Sequence, residues 1–308
     1  SPATDRGPGR PLTRAGPAAV RPSGSIGQVR HTYRCPMRWA DLDLLGHVNN
    51  VVYVDYLQEA RVDMLRTHGP AARTGELAEG VVVVRHEVSY LAPLSFGFEP
   101  VTIESWVTEI RAATFTIAYE IFHERDGARH VYARATTVLT PYVFADERPR
   151  RLTAVERETL AAFLEPAEPA PRHRLPRARP DVATHYPVRV RFSDVDVYGH
   201  VNNVKYFEYL QESRIAMTAR MWGHLDPVSL VVAQTDVDYV RPILFRPEPY
   251  DAWSWVSRVG TRSASIDSVI SDGDDALARA RAAIVFFDPR TERSVAPAEP
   301  YLEALRSL

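Results

Sequence analysis

A single cysteine, Cys35, stands in 308 residues. That excludes an internal disulfide and any multi-cysteine metal site, and Cys35 itself is expected to be inert. An excess of charge of either sign is also missing. Lysine and arginine number 37 against 39 acidic residues, a net charge of −2, so nothing electrostatic argues for nucleic acid or an anionic membrane as a partner. No apolar run reaches the ~18 residues of a membrane span, and no signal-peptide core is visible. The expected compartment is the cytoplasm. Lys205 is the one lysine, an arginine bias read as codon usage rather than function. Gly-x-Ser-x-Gly, phosphate-loop and dinucleotide glycine patterns are absent, which removes the serine-elbow hydrolases and the common nucleotide folds. What is there is a globular composition, 45% hydrophobic and 25% charged, in a chain long enough for about two domains.

Residues 1–30 stand apart. They are rich in Pro, Gly, Ala, Ser and Arg, with Asp5 as their one acid. Without periodic apolar residues they cannot offset the entropy of ordering, so a disordered tail is expected. The rest of the chain carries 32 basic and 38 acidic residues and is mildly acidic.

That remainder is one unit written twice. Arg38 to Met64 and Arg191 to Met217 align at an offset of 153, with 16 of 27 positions identical. The match continues from Val88, Tyr90 and Pro93 to Val237, Tyr239 and Pro242, and from Ala133-Arg134-Ala135 to Ala280-Arg281-Ala282. A period of about 140 residues means two whole domains rather than a solenoid. The expected divisions are a domain over 31–164, a Pro/Ala/Arg-rich semi-rigid linker over 165–184, and a second domain over 185–308.

Each unit repeats one order of elements. A short strand (Thr32 to Arg38; Val188 to Phe192) leads into a loop. A helix follows, from about Val51 to His68 and from about Val204 to Trp222. Tyr53, Leu57, Ala60 and Met64 recur at helical spacing, as do Tyr206, Leu210 and Met217, giving one apolar stripe per helix. Asn49 or Asn50, and Asn202 or Asn203, suit its N-cap. The remaining strands are expected over Val81–Tyr90, Val101–Glu109, Thr114–Glu124 and His130–Pro141. In the second unit they fall over Ser229–Tyr239, Tyr250–Val259, Ser263–Asp272 and Ala276–Phe287. One long helix and an antiparallel meander make an α+β layout, with the helix stripe buried on the curved sheet. Trp106 and Trp255 are expected in the core.

The repeated loop reads Asp-x-Asp-x-x-Gly-His-Val-Asn-Asn. A calcium loop is excluded, because position 12 is Val52 in one copy and Lys205 in the other where glutamate is needed. One histidine per copy is too few for zinc. A carboxylate beside a helix N-terminus remains. The unpaired N–H groups there can polarise a carbonyl, and the carboxylate can attack it or activate water. Together they describe acyl transfer or thioester hydrolysis.

This loop followed by Tyr-x-x-Tyr resembles the signature of the hotdog-fold thioesterases, both the 4-hydroxybenzoyl-CoA thioesterase-like group and the tandem acyl-ACP thioesterases. The resemblance covers about residues 31 to 160 and 185 to 300. It implies two hotdog units, each a long helix wrapped by an antiparallel sheet, paired edge to edge as a pseudo-dimer with sites at their interface. It implies Asp43 and Asp196 as the catalytic carboxylates, and backbone N–H donors at Asn50 and Asn203. His47 and His200 match a histidine implicated in the plant-type enzymes. Those carry asparagine two residues earlier, where this chain has Leu45 and Tyr198, so the two sites are expected to differ.

Other roles are structural. Asp41 and Asp194 are expected to hold the loop, with Asn49 and Asn202 as caps. Glu59 and Glu212 are expected in ion pairs with a nearby arginine, Arg61 or Arg214. The expected activity is acyl-CoA hydrolysis without a metal or other cofactor. The alternatives are an acyl-ACP thioesterase, a non-catalytic acyl-CoA or lipid-binding module, and a hydratase on the same fold. The partner is then an acyl-CoA or acyl-ACP thioester; further homo-oligomerisation of the fused chain is left open.

Overall fold

The computed structural model describes residues 29–69, 80–167, 174–176, 180–181, 183–223, 229–291 and 293–306. Most of the expected tail and part of the expected linker lie outside the described residues. The first half runs β1 (His31–Cys35), α1 (Val52–His68), β2 (Val81–Tyr90), β3 (Val101–Ile110), β4 (Phe115–Arg125), β5 (Ala128–Val143), β6 (Arg148–Pro149) and α2 (Ala154–Ala161). The second runs β7 (Thr184–Val188), α3 (Asn203–Trp222), β8 (Leu230–Tyr239), β9 (Tyr250–Val259), β10 (Ser263–Asp272), β11 (Asp275–Asp288), β12 (Arg293–Ser294) and α4 (Glu299–Arg306).

The helix stripes are buried as their spacing requires. Tyr53, Leu57, Ala60 and Met64 of α1, and Tyr206, Leu210 and Met217 of α3, all lie in the core. The first helix packs on β1 and β3, and α3 on β7 and β9. This is the hotdog arrangement, built twice.

The strands form one antiparallel sheet in the order β1-β3-β4-β5-β2-β8-β11-β10-β9-β7. It departs from a simple meander. Strand β2 pairs with β5 rather than with β3, and β8 likewise pairs with β11. That leaves one edge of β2 and one of β8 free for each other, and they join the halves from Arg85↔Asp238 to Ser89↔Gln234. Arg85 ties the seam, 2.7 Å from Glu87 on its own strand and 2.5 Å from Asp238 across it. Joining two sheet edges satisfies backbone groups that would otherwise be exposed.

Several sequence expectations are corrected. The first strand of the second half is Thr184–Val188, not Val188–Phe192. It contains Pro187, which an edge strand tolerates, and Phe192 belongs instead to the 3₁₀ turn Phe192–Asp194. The β1 strand stops at Cys35 because Pro36 follows. Arg30, assigned to the tail, is fastened to the sheet. Its guanidinium bonds Glu165 and Glu104 and lies 3.7 Å over the Trp106 ring. Trp106 is therefore on the outer face rather than in the core, while Trp255 is buried. Helices α2 and α4 were not expected. Thr153 and Glu156 form a reciprocal capping box at the start of α2, a Thr-x-x-Glu signal present in the sequence.

Candidate functional site

The two Asp-x-Asp loops fold alike. The backbone N–H of Asp43 donates to the carbonyl of His47 at 2.8 Å, and Gly46 N–H returns to Asp43 O at 3.1 Å. Gly46 sits at φ 78° and Gly199 at φ 82°, a left-handed turn that favours glycine. Inside the turn Asp43 Oδ1 accepts from Leu45 N–H at 2.8 Å and His47 N–H at 3.3 Å. Asp196 Oδ1 accepts likewise from Tyr198 and His200. One carboxylate oxygen is thus fixed by backbone donors. The other, Oδ2, makes no hydrogen bond among the described residues.

Asp41 and Asp194 are buried and hold the loop. Asp41 Oδ2 accepts from Arg38 N–H at 2.7 Å and from the Tyr56 hydroxyl at 2.5 Å. Asp194 accepts from Arg191 N–H and the Tyr209 hydroxyl. Each tyrosine comes from the adjoining helix, so the first aspartate of the motif locks loop to helix. Burial and the carboxylate both push these phenols above their usual range.

The asparagines shape the helix entry. Asn49 Oδ1 accepts from Val51 N–H and Asn202 Oδ1 from Val204 N–H, both at 3.0 Å. Asn49 O and Asn202 O accept the next N–H groups. The Tyr90 hydroxyl donates to Asn50 O at 2.9 Å, and Tyr239 to Asn203 O at 3.0 Å. Asn50 N–H and Asn203 N–H bond nothing among the described residues. They are the unspent donors of the two helix entries.

Around Asp43 lies a cavity of about 760 Å³. The first half lends it Asp43, His47, Asn49, Asn50, Tyr53 and Tyr90. The second half lends Gln211, Arg214, Ile215 and Thr218, which follow one face of α3. Its far wall is apolar, with Leu230, Val231, Val232, Ile284, Val285 and Phe287. The site is therefore composite, walled by residues of both halves. The sequence pointed to an interface but named no residue donated across it. The repeat could have named Arg214, the counterpart of Arg61.

The matching place around Asp196 is built from bulkier groups. Phe144, in the turn after β5, stacks flat on Tyr198 with centroids 3.7 Å apart and lies 6.0 Å from the His200 ring. Asn203 Nδ2 donates to Gln58 Oε1 across the halves at 3.1 Å. His86 is fully buried against Phe207 and Tyr239. The positions matching Tyr198, Phe207 and His86 around Asp43 are Leu45, Val54 and Thr235, each smaller. Tyr239 gives its proton to Asn203 O, so His86 Nδ1, 3.0 Å from that hydroxyl, is the donor between them. Burial and the nearby Arg61 hold the His86 pKa well below its usual value.

The remaining expected residues separate. His47 lines the cavity, but neither His47 nor His200 bonds its neighbouring aspartate through the ring among the described residues. Glu59 and Glu212 are exposed, away from the cavity. Neither pairs with Arg61 or Arg214 among the described residues, because positions two apart face opposite sides of a helix. Cys35 is buried, which pushes its thiol up to about 12, consistent with an inert side chain. No group of three or more His, Cys, Asp or Glu among the described residues is arranged to hold a metal ion. No helix among them is long and apolar enough to cross a membrane.

The model of one family, described as the thioesterase-like superfamily, matches residues 37–163 and again 190–305. YsmA of Bacillus subtilis, an uncharacterized protein, is 34% identical over 84 residues, 26% of this chain and about half (54%) of that protein's length. FadM of Escherichia coli, named a long-chain acyl-CoA thioesterase, is 27% identical over 115 residues, 35% of this chain and 86% of its own. The structure of a 12:0-ACP thioesterase from Umbellularia californica superposes with a TM-score of 0.67 at 17% identity, covering 83% of this chain and 93% of that one. That last likeness is one of fold.

Proposed function

The chain belongs to the thioesterase-like superfamily, and from that premise we propose that it hydrolyses acyl-CoA thioesters at the composite site around Asp43. The observation that carries this reading is the cavity that joins a half-free carboxylate, an unspent helix-entry N–H and a long apolar wall. The thioester carbonyl lies against Asn50 N–H, which polarises it and stabilises the developing oxyanion. Asp43 Oδ2 attacks the carbonyl carbon or takes a proton from an attacking water. The C–S bond breaks, and the thiolate takes up a proton and leaves as free thiol. With water as the attacking group the carboxylic acid forms in the same step. With Asp43 as the attacking group a second step follows, in which water cleaves the acyl–Asp43 anhydride to release the acid and restore the carboxylate. The acyl chain lies along the apolar wall, where each buried methylene adds about 0.8 kcal/mol. His47 borders the reacting atoms from the cavity wall. In this reading the units over 31–164 and 185–308 act as one pseudo-dimer, and the second supplies the acyl wall for the first.

The Asp196 site is taken as structural, since Phe144 stacks on Tyr198 and lies 6.0 Å from the His200 ring, crowding the loop from the other half, although Asp196 Oδ2 and Asn203 N–H are themselves unbonded among the described residues. Coenzyme A is preferred over a carrier protein because the sequence kinship with FadM is to a protein named for acyl-CoA. The likeness to an acyl-ACP enzyme is at the level of fold. The test is free-thiol release from matched acyl-CoA and acyl-ACP thioesters of several chain lengths. Turnover of the CoA esters is expected, with a rate that rises with chain length. Faster release from the carrier protein would transfer the assignment to acyl-ACP. No release from either, with acyl-CoA still bound tightly, would leave a binding module in place of the enzyme.

A further inference from the structure

One arginine lines this cavity. Arg214 projects from α3 and lines the wall facing the first loop. Among the described residues its guanidinium makes no hydrogen bond and no ion pair. Burial pushes its pKa down to about 10, an effect that Tyr90 partly opposes. It stays charged at neutral pH and is half-buried in the cavity wall, where a partly desolvated charge without a partner is costly. Its place along the substrate is set by its neighbours. It lines the cavity together with Tyr90 and Asn50, and the Tyr90 hydroxyl holds Asn50 O at the helix entry. Gln211, one turn earlier on α3, lines the same cavity. The counterpart of Gln211, Gln58, is bonded to Asn203, and the counterpart of Arg214, Arg61, is buried beside Tyr119 and His86. Among the described residues, Arg214 thus lines the cavity at Asp43, whereas Arg61 is buried.

We infer that Arg214 selects acyl groups bearing an oxygen acceptor within a few atoms of the thioester carbonyl, such as a 3-hydroxy or 3-oxo substituent, by donating a charged hydrogen bond to it. This rests on the hydrolase reading above. An unsubstituted chain leaves the guanidinium without an acceptor, and an oxygen placed beside Asn50 supplies one. The rest of the chain still meets the apolar wall.

The experiment compares kcat/KM for 3-hydroxydecanoyl-CoA, 3-oxodecanoyl-CoA and decanoyl-CoA in wild type, Arg214→Met and Arg214→Lys. Methionine keeps the apolar stem and removes the charge. The preference for the oxygenated substrates is expected to fall about 10-fold or more in Arg214→Met, the worth of one charged hydrogen bond, and to be partly kept in Arg214→Lys. An equal loss on all three substrates, or an unchanged preference, would overturn the inference. Binding of the same three thioesters to Asp43→Asn, with and without Arg214→Met, is measured by titration calorimetry. Absence of turnover in wild type would then count against the hydrolase reading alone. The affinity ratio would still decide the role of Arg214, an unchanged ratio refuting it.

Discussion

Replacing Asp43 by asparagine removes a charge and leaves the loop standing. The amide oxygen can accept the same two backbone bonds that Asp43 Oδ1 now takes from Leu45 and His47, at 2.8 and 3.3 Å. Thermal stability should therefore change by less than about 1 kcal/mol. The other oxygen becomes an NH₂ that can neither attack nor accept a proton. General-base catalysis is worth about 10² to 10⁴ in rate, roughly 2.7 to 5.4 kcal/mol of barrier, and kcat should fall by that factor. Asp196→Asn is the paired variant, because its carboxylate accepts the same two backbone bonds, from Tyr198 and His200. Its site carries the Phe144–Tyr198 stack, so kcat should stay within about twofold of wild type. The assay is thiol release from a long-chain acyl-CoA by both variants and the double mutant. Two equal sites would instead leave about half the activity in each single variant and none in the double. That result, or inactivation by Asp196→Asn alone, would refute the assignment to one site.

Two further outcomes follow from buried polar groups. His86 has a lowered pKa in the fold, enclosed by Arg61, Tyr239 and Phe207, so below about pH 6.5 the unfolded chain binds the extra proton more readily. The stability it supports is complete above that pH and is lost as pH falls, at up to about 1.4 kcal/mol per unit. His86→Thr, the residue found at the matching position of the second half, should flatten part of the slope in urea-melt stability between pH 6.5 and 5. An unchanged slope would contradict it. His31, also lowered chiefly by burial, supplies a remaining slope. Separately, Tyr56→Phe deprives the buried Asp41 carboxylate of its hydroxyl donor. It should cost about 1.5 to 3 kcal/mol by urea denaturation. A loss under about 0.5 kcal/mol would mean that Arg38 alone satisfies Asp41.

The sequence by itself determined the duplication, the helix in each unit, most strand positions and the Asp-x-Asp loop. These are local or periodic facts. The stripe of Tyr53, Leu57, Ala60 and Met64 recurs at helical spacing, and a Gly at Gly46 and Gly199 marks a turn that a side chain would strain. Other local signals went unread, such as the Thr153–Glu156 box, or misled, as when Val188-Arg-Val-Arg-Phe looked more strand-like than the proline-bearing segment before it. Tertiary structure alone decided what surrounds each loop. The two loops are nearly the same in sequence and in hydrogen bonding, yet one opens on a cavity and the other meets Phe144. That difference comes in part from Tyr198 in the loop itself, where the first loop has Leu45, and in part from Phe144 and His86, more than fifty positions from Asp196 in the chain. Phe144 and His86 belong to the first half and meet the second loop where the two halves are joined by the pairing of β2 with β8. Arg214 shows the same limit: within its own helix it is the copy of Arg61. It acquires an open cavity because the first half lends the loop, and the opposing positions there are Leu45, Val54 and Thr235 instead of Tyr198, Phe207 and His86. The local motif recorded one part of that difference, Leu45 against Tyr198, but the side-chain volume contributed by Phe144 and His86 comes from distant positions, and no local pattern records it.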